Sequence, residues 1–396
     1  AGSAGGKHPP FKGDCTRMRK KLPSSWPWKG SAHVQRYWIH KNPSGPTKYS
    51  HMAMIEQLGN GTFVAAWQAS GGLEGTDDQH IVLSFSQDLE GKRWGEPYPL
   101  PVRREAAQWS PVLHADPRGR LWLFYAESTE CKSKTSPPRW YPGGDIKVTM
   151  WGEGGDRWKA PRVIYSQSAS GRVPKVIANK LIVLTGGEWV LPYWEESHPG
   201  GTCSFDESSG QGHAGVLVSE DDGWSWEARG HVVHPDTWLI ENTVAEIRSG
   251  MLLMLFRTLK GYIYQAISDD KGRTWTRPEA TNLPNPDSKI HMLPLADGSL
   301  ALAYNHHPKL KRPNRRARTN LDVAVSINDG RSWKQVARVE DQQDAGLRMH
   351  YPTLMQSGCT LYLAYSKFYH EEFAYKGEGN SSGVELGIKL VALDIR

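Results

Sequence analysis

Cysteine is scarce: four in 396 residues, at Cys15, Cys131, Cys203 and Cys359, too far apart to make a metal-ligand pair. One disulfide and fully reduced thiols fit that spacing equally well. His306 and His307 are adjacent, and neighbours on a strand point to opposite faces, so they give no metal pair either. No metal and no cofactor is expected. No apolar run approaches the ~18 residues of a membrane span, and no signal peptide is visible. The chain opens AGSAGG without Met, which reads as a tag scar or a processed end. Asn60-Gly-Thr62 and Asn380-Ser-Ser382 match the glycosylation acceptor pattern and lean toward a secreted or extracytoplasmic location.

Charge of one sign is not dominant: 48 Lys and Arg stand against 42 Asp and Glu, a formal net charge of +6. Much of the excess sits in one stretch between Asn305 and Arg318, NHHPKLKRPNRRAR. It reads as a solvated basic loop or as a clamp for an acidic substrate. The interleaving of aromatic and basic residues that single-strand binders use is missing, so nucleic acid is not expected as a partner. Residues 1–30, with the basic CTRMRKKL from Cys15, read as an N-terminal arm with partial disorder.

What the chain has in quantity is repetition. Six segments share a strand, a polar turn and an apolar strand, starting at Met52, Ser110, Asn179, Asn242, His291 and Tyr351. Between them runs a box, Ser219-x-Asp221-x-Gly223-x-x-Trp226, repeated at Ser268–Trp275 and Ser326–Trp333. Ser86–Trp94 is a copy with one extra residue, and Trp151–Trp158 keeps only Gly and Trp. In each box the Asp or Asn bonds back to the backbone, the Gly bends the chain, and the Trp plugs the hairpin base. Hairpin plus box-hairpin makes a four-stranded unit of about 40–60 residues, the scale of a propeller blade. The expectation is an all-β fold over residues 31–396: one six-bladed β-propeller of four-stranded antiparallel blades, the last lacking a box.

Propeller blades put their innermost strands on the axis. The residues that begin those strands therefore converge: His51, Trp109, Ala178, Glu241, Ile290 or His291, and His350 or Tyr351. The hairpin IENTVAEIRSGMLLMLFRT carries this furthest, with Asn242–Ile247 and Met251–Phe256 as its strands. Glu241 and Arg257 flank it, and a hairpin brings its two ends together. Taken singly, each of these residues reads as an ion pair or a core side chain; together they read as a site.

The boxes and hairpins resemble the sialidase superfamily of six-bladed propellers. The resemblance covers about residues 31–396 and sharpens at IENTVAEIRSGMLLMLFR. It implies that Glu241 activates the nucleophile, that Arg257 and Arg318 (or, in its place, Arg316 or Arg315) bind the substrate carboxylate, and that Tyr351, in HYPTL, is the nucleophile. It places the general acid in the EGTDD loop, at Asp77 or Asp78. Where such enzymes begin with an Arg-Ile-Pro-like motif, this chain has Tyr49-Ser50-His51-Met52-Ala53, so His51 stands at the first arginine's place. That is similar to a subgroup with a Ser-His start. Arg36 lies in the preceding segment.

The chemistry fits an acidic sugar. A guanidinium fork pairs with a carboxylate in two parallel bonds. A neutral Tyr nucleophile is not repelled by the substrate's charge, provided a Glu takes its proton. Tyr351 and Glu241 are accordingly expected within hydrogen-bond distance. The expected function is an exo-acting glycoside hydrolase of a terminal acidic sugar, sialic acid or a related ulosonic acid, acting as a monomer on an acidic carbohydrate. His291, Trp109 and Asn305 are expected to line the substrate site with the arginines. Two other readings stand beside it: a lyase or glycosidase of uronic-acid polysaccharide using Tyr351, His51, His291 and Arg257, and a non-catalytic carbohydrate-binding propeller.

Overall fold

The computed structural model describes residues 34–42, 48–152, 157–169, 171–196, 212–307, 317–342, 344, 346–370 and 384–395. The expected N-terminal arm, Cys15, Cys203, Asn380 and the basic residues 308–316 lie outside them. The description is nearly all strand. Six antiparallel sheets follow one another along the chain, over residues 49–99, 108–165, 175–232, 240–284, 291–341 and 347–394. They are the six blades of a propeller; in the first, second, fourth and fifth a hairpin is followed directly by a second hairpin.

The sixth blade is completed from the other end of the chain. Its strand order runs from Val34–Asn42 through Leu386–Asp394 and Thr360–Tyr369 to Leu347–Ser357. Val34 pairs with Leu393, and Asn42 with Leu386. The first strand thus supplies the outer strand of the last blade and ties the two ends of the described chain together. The missing sixth box follows from this closure, because the outer strand of that blade does not come from the hairpin a box would turn.

The boxes form the peripheral turns. In the third blade Asp221 Oδ1 accepts from Trp224 N at 3.0 Å and Ser225 N at 2.7 Å. Trp226 Nε1 donates to Gly223 O at 3.0 Å, and Trp275 repeats the bond to Gly272 O at 3.0 Å. Both indoles pack against the apolar layers between blades. Those layers are large and dry: Trp67, Trp109, Trp122, Tyr125 and Phe124 are all fully buried.

The third blade departs from the expected hairpin. Its innermost strand is broken into Lys175–Val176 and Ile182–Val183, both paired with Trp189–Glu195. Asn179, in the gap, is buried and sends its side-chain amide sideways to Glu241 O at 2.8 Å and Asn242 O at 3.0 Å. Ladder pairing in one blade is exchanged for anchorage of the next.

Cys131 and Cys359 are both disulfide-bonded. Among the described residues no helix is long and apolar enough to cross a membrane, and no cluster of His, Cys, Asp or Glu has the makings of a metal site.

Candidate active site

Four innermost strands carry a bulge at the same level. Register shifts lie between His51 and Met54, Trp109 and Val112, Ile240 and Thr243, and His350 and Thr353. At each shift one non-glycine residue has a left-handed backbone: Met52 at φ 59°, Ser110 at 49°, Glu241 at 49° and Tyr351 at 57°. Such backbone costs on the order of 1–3 kcal/mol per residue and gathers where a side chain must be re-aimed. Here it swings Glu241 and Tyr351 toward one cleft. The bulge residue of the first blade is Met52, so His51 occupies the position before it, equivalent to Ile240 and His350.

Glu241 and Arg257 lie inside the ladder rather than beyond its ends, in Ile240–Glu246 and Leu252–Arg257, with Ile240 opposite Arg257. Arg257 is the hub. Its Nη1 donates to Glu241 Oε1 at 2.8 Å and to Tyr351 Oη at 2.9 Å. Its Nε donates to Asp287 Oδ1 at 2.9 Å, and Nη2 stands 2.8 Å from the same oxygen. Burial alone would lower the Arg257 pKa; Asp287, then Glu241, outweigh it and hold the group well above its ordinary value. Tyr351 is pushed well up, first by burial and then by the Glu241 charge. The expected Tyr351–Glu241 hydrogen bond is not among those formed. Glu241 Oε2 is instead buried without a partner among the described residues.

Two adjoining cavities, of about 290 and 300 Å3, share Glu74 and Tyr351 in their walls. The first is lined by Glu241, Arg257 and Asp287 with the indoles of Trp109, Trp194 and Trp238. The second is lined by Arg318, Arg348 and Arg139 with His51 and His350. Arg318 Nη1 donates to His350 Nδ1 at 2.8 Å, and its guanidinium lies 5.4 Å from the Tyr351 ring centre. Arg318 Nε is buried and unpartnered among the described residues. The His51 ring centre is 4.1 Å from that of Tyr351 and 4.7 Å from that of His350. Burial, then Arg318, drives the His51 pKa well below 6.5, and burial, then His51, does the same to His350. Both imidazoles are therefore neutral at pH 7, so His51 does not supply the positive charge of a missing arginine.

The loop residues expected as general acid, Asp77 and Asp78, stand outside both cavities. Asp77 is exposed and accepts from Lys132 Nζ at 2.9 Å and Trp140 Nε1 at 2.7 Å, bonds that lower its pKa in that order. Asp78 folds the loop on itself, accepting from Gly71 N at 2.6 Å; burial would raise its pKa, but its Thr76 and Gly71 bonds bring it down. Neither lines either of these two cavities. Glu74, three residues earlier, lines both. The residue is exposed as a whole, yet burial around its carboxyl raises its pKa against bonds from Gln68 and Tyr49. A carboxyl with a raised pKa keeps its proton longer, as a proton donor must.

Of the remaining expected residues, Trp109 walls the first cavity while its Nε1 is spent on Ser128 Oγ at 2.8 Å. His291 and Asn305 stand apart from the two cavities. His291 is buried and its Nδ1 accepts from Leu354 N at 2.9 Å, stapling two blades. Asn305 is fully buried, with its amide on Met349 O at 2.8 Å and its carbonyl accepting from Ser288 Oγ at 2.6 Å. Neither lines either of the two cavities above. Arg36 turns away, donating to Val339 O at 2.7 Å. Sequence reasoning missed Asp287, Glu74 and Arg348. Asp287 sits in Asn-Pro-Asp, which reads as a turn. Arg348 was findable, since strand alternation places it on the face of His350.

Residues 61–363 match a family model described as BNR repeat-like domain. A curated sialidase from Bacteroides fragilis is 23% identical over 279 residues, covering 64% of this chain and 48% of that protein. The chain thus spans about half the length of the curated relative it matches. A Dyadobacter fermentans protein of unknown function has a similar structure, with TM-score 0.70, 16% identity, and coverage of 92% of this chain and 100% of that one. A Trypanosoma rangeli sialidase in complex with sialic acid superposes with TM-score 0.66 at 13% identity, covering 92% of this chain and 59% of that one. At these identities the structural likeness concerns the fold.

Proposed function

We propose a function from one premise: the chain belongs to the BNR repeat-like domain family, within the sialidase-like superfamily. The function is that of a sialidase-type glycosidase releasing a terminal acidic sugar, sialic acid or a related ulosonic acid. One observation carries it: Tyr351 and Glu241 meet on Arg257 at the wall shared by two cavities, one rich in arginine and the other in aromatic rings.

The roles follow from the surroundings. Tyr351 Oη attacks the anomeric carbon and the bond to the leaving oxygen breaks. Because burial raises the phenol's pKa, its proton needs an acceptor, and Glu241 Oε2 is a buried acceptor with no partner among the described residues. Glu74 gives its proton to the leaving oxygen. In the second step water attacks the same carbon, Glu74 takes the water's proton, and Tyr351 leaves with the proton held by Glu241. Arg257 is already matched by two carboxylates, so it orients Glu241 and Tyr351 while Arg318 and Arg348 receive the substrate carboxylate.

A second reading keeps support from one contact. His51 is neutral, beside Arg318 and against the Tyr351 ring, the arrangement for removing a proton next to a uronate carboxylate. Incubation with an aryl sialoside and with a glucuronate-containing polysaccharide separates the readings. Hydrolysis frees the acidic sugar without new ultraviolet absorbance. Elimination creates an absorbing unsaturated uronate, and failure of both substrates leaves a binding propeller.

A further inference from the structure

Beneath the site lies a lysine that neither cavity exposes. Lys289 is 2% exposed and its Nζ donates to Pro352 O at 2.6 Å. The other buried lysines have carboxylates: Lys180 reaches Glu56 at 2.6 Å, and Lys175 stands 3.7 Å from Glu195. Among the described residues none lies within ion-pair distance of Lys289. Burying an ammonium on one carbonyl is unfavourable, and Met would fill the same volume without that cost. The head group therefore has a local task, and its bond says where. Pro352 directly follows Tyr351, whose backbone is left-handed at φ 57°.

The segment carrying Lys289 touches the site at three further points. Asp287 holds Arg257, and the Asp287 carbonyl accepts from Arg318 Nη2. Ser288 Oγ holds Asn305, which in turn binds Met349 O. Residues 287–289 thus brace both arginines and both sides of the Tyr351 bulge from the neighbouring blade.

We infer that Lys289 is a positioning residue for Tyr351, holding the strained 351–352 bulge in register with Glu241 through its bond to Pro352 O. This rests on Tyr351 being the reacting group. The charge adds to the bond. Burial brings the Lys289 pKa down to about 7, opposed by Glu241 on the fourth blade. After burial, the charge of Lys289 also lowers the pKa of His51 on the first blade and of His291 two residues along the chain, where Lys180 acts too. Below about pH 7 the ammonium favours negative charge passing between Tyr351 and Glu241; above it that help is lost.

The test is turnover of an aryl sialoside between about pH 5 and 9 by the parent, Lys289→Met and Lys289→Arg. Lys289→Met should lower kcat roughly 10–100-fold near pH 6, as misplacement of a reacting group does, with KM within about twofold. It should also lack the parent's fall in rate above about pH 7. Lys289→Arg, permanently charged, should restore rate and move that fall upward. An unchanged kcat and pH profile in Lys289→Met overturns the inference; so, if that variant does not fold, does a Lys289→Arg profile identical to the parent's. If the parent turns over nothing, the proposed function fails on its own, and urea unfolding still reads the lysine. A folded lysine that loses its proton near pH 7, well below its unfolded value of about 10.4, makes the parent gain stability over Lys289→Met across that interval. A flat difference overturns the inference.

Discussion

Glu241 and Tyr351 meet on a single nitrogen rather than on each other: Arg257 Nη1 lies 2.8 Å from Glu241 Oε1 and 2.9 Å from Tyr351 Oη. The guanidinium is closed on its other edge by Asp287. Arg257 therefore works as a keystone between blades four and six, and its loss exposes buried charge before it costs any ligand contact.

Arg257→Ala should accordingly be a stability mutant as well as an inactive one. Removing one partner of a buried ion pair costs about 3–5 kcal/mol, since the remaining charge is left uncompensated. Urea denaturation of the variant should show a lower midpoint with an unchanged slope. A midpoint equal to the parent's would return Arg257 to the role of a plain substrate clamp.

Tyr351→Phe removes one hydroxyl and little volume. Turnover should fall about 10^3-fold or more, as for loss of a nucleophile, while the melting temperature stays within a few degrees. Binding of the free acidic sugar, read by calorimetry, should persist, because Arg318 and Arg348 are untouched.

The propeller was legible because its signals are local and repeated: a Gly turn, a Trp plug, an alternating strand. The inward turn of Glu241 and Tyr351 was legible from their place at the head of innermost strands. Three things were not. Closure by Val34–Asn42 pairs strands from opposite ends of the chain, which no local pattern records. The proposal of Glu74 over Asp77 and Asp78 depends on how one loop folds over Lys132 and Trp140, fixed by partners some 60 residues away in sequence. His291 and Asn305 stand where site residues stand by position, and only their hydrogen bonds reveal them as staples between blades.

Glu74→Gln tests the proton donor. With a poor leaving group the rate should drop about 10^2–10^4-fold, whereas an activated phenol that needs no proton should leave nearly as fast as from the parent. Because the Glu74 pKa is raised, the parent's rate should fall as pH climbs through it. Asp77→Asn should change neither observation. Equal losses in both variants would undo the assignment.

Buried neutral histidines make the fold sensitive to acid. The unfolded chain takes protons on His51 and His350 near 6.5, while the folded chain does so only at much lower pH. The unfolded state then binds more protons, so stability falls as pH drops below about 6.5. His51→Gln should flatten the pH dependence of the urea midpoint between pH 6.5 and 5; the parent's slope persisting in that variant would count against it.

The most direct measurement is mass spectrometry of the protein after brief reaction with a fluorinated acidic-sugar glycosyl fluoride, which slows release of a covalent intermediate. A sugar adduct on the peptide carrying Tyr351, absent from Tyr351→Phe, is the expected result. Turnover of an aryl sialoside with the adduct on another residue, or with none formed, would contradict the account.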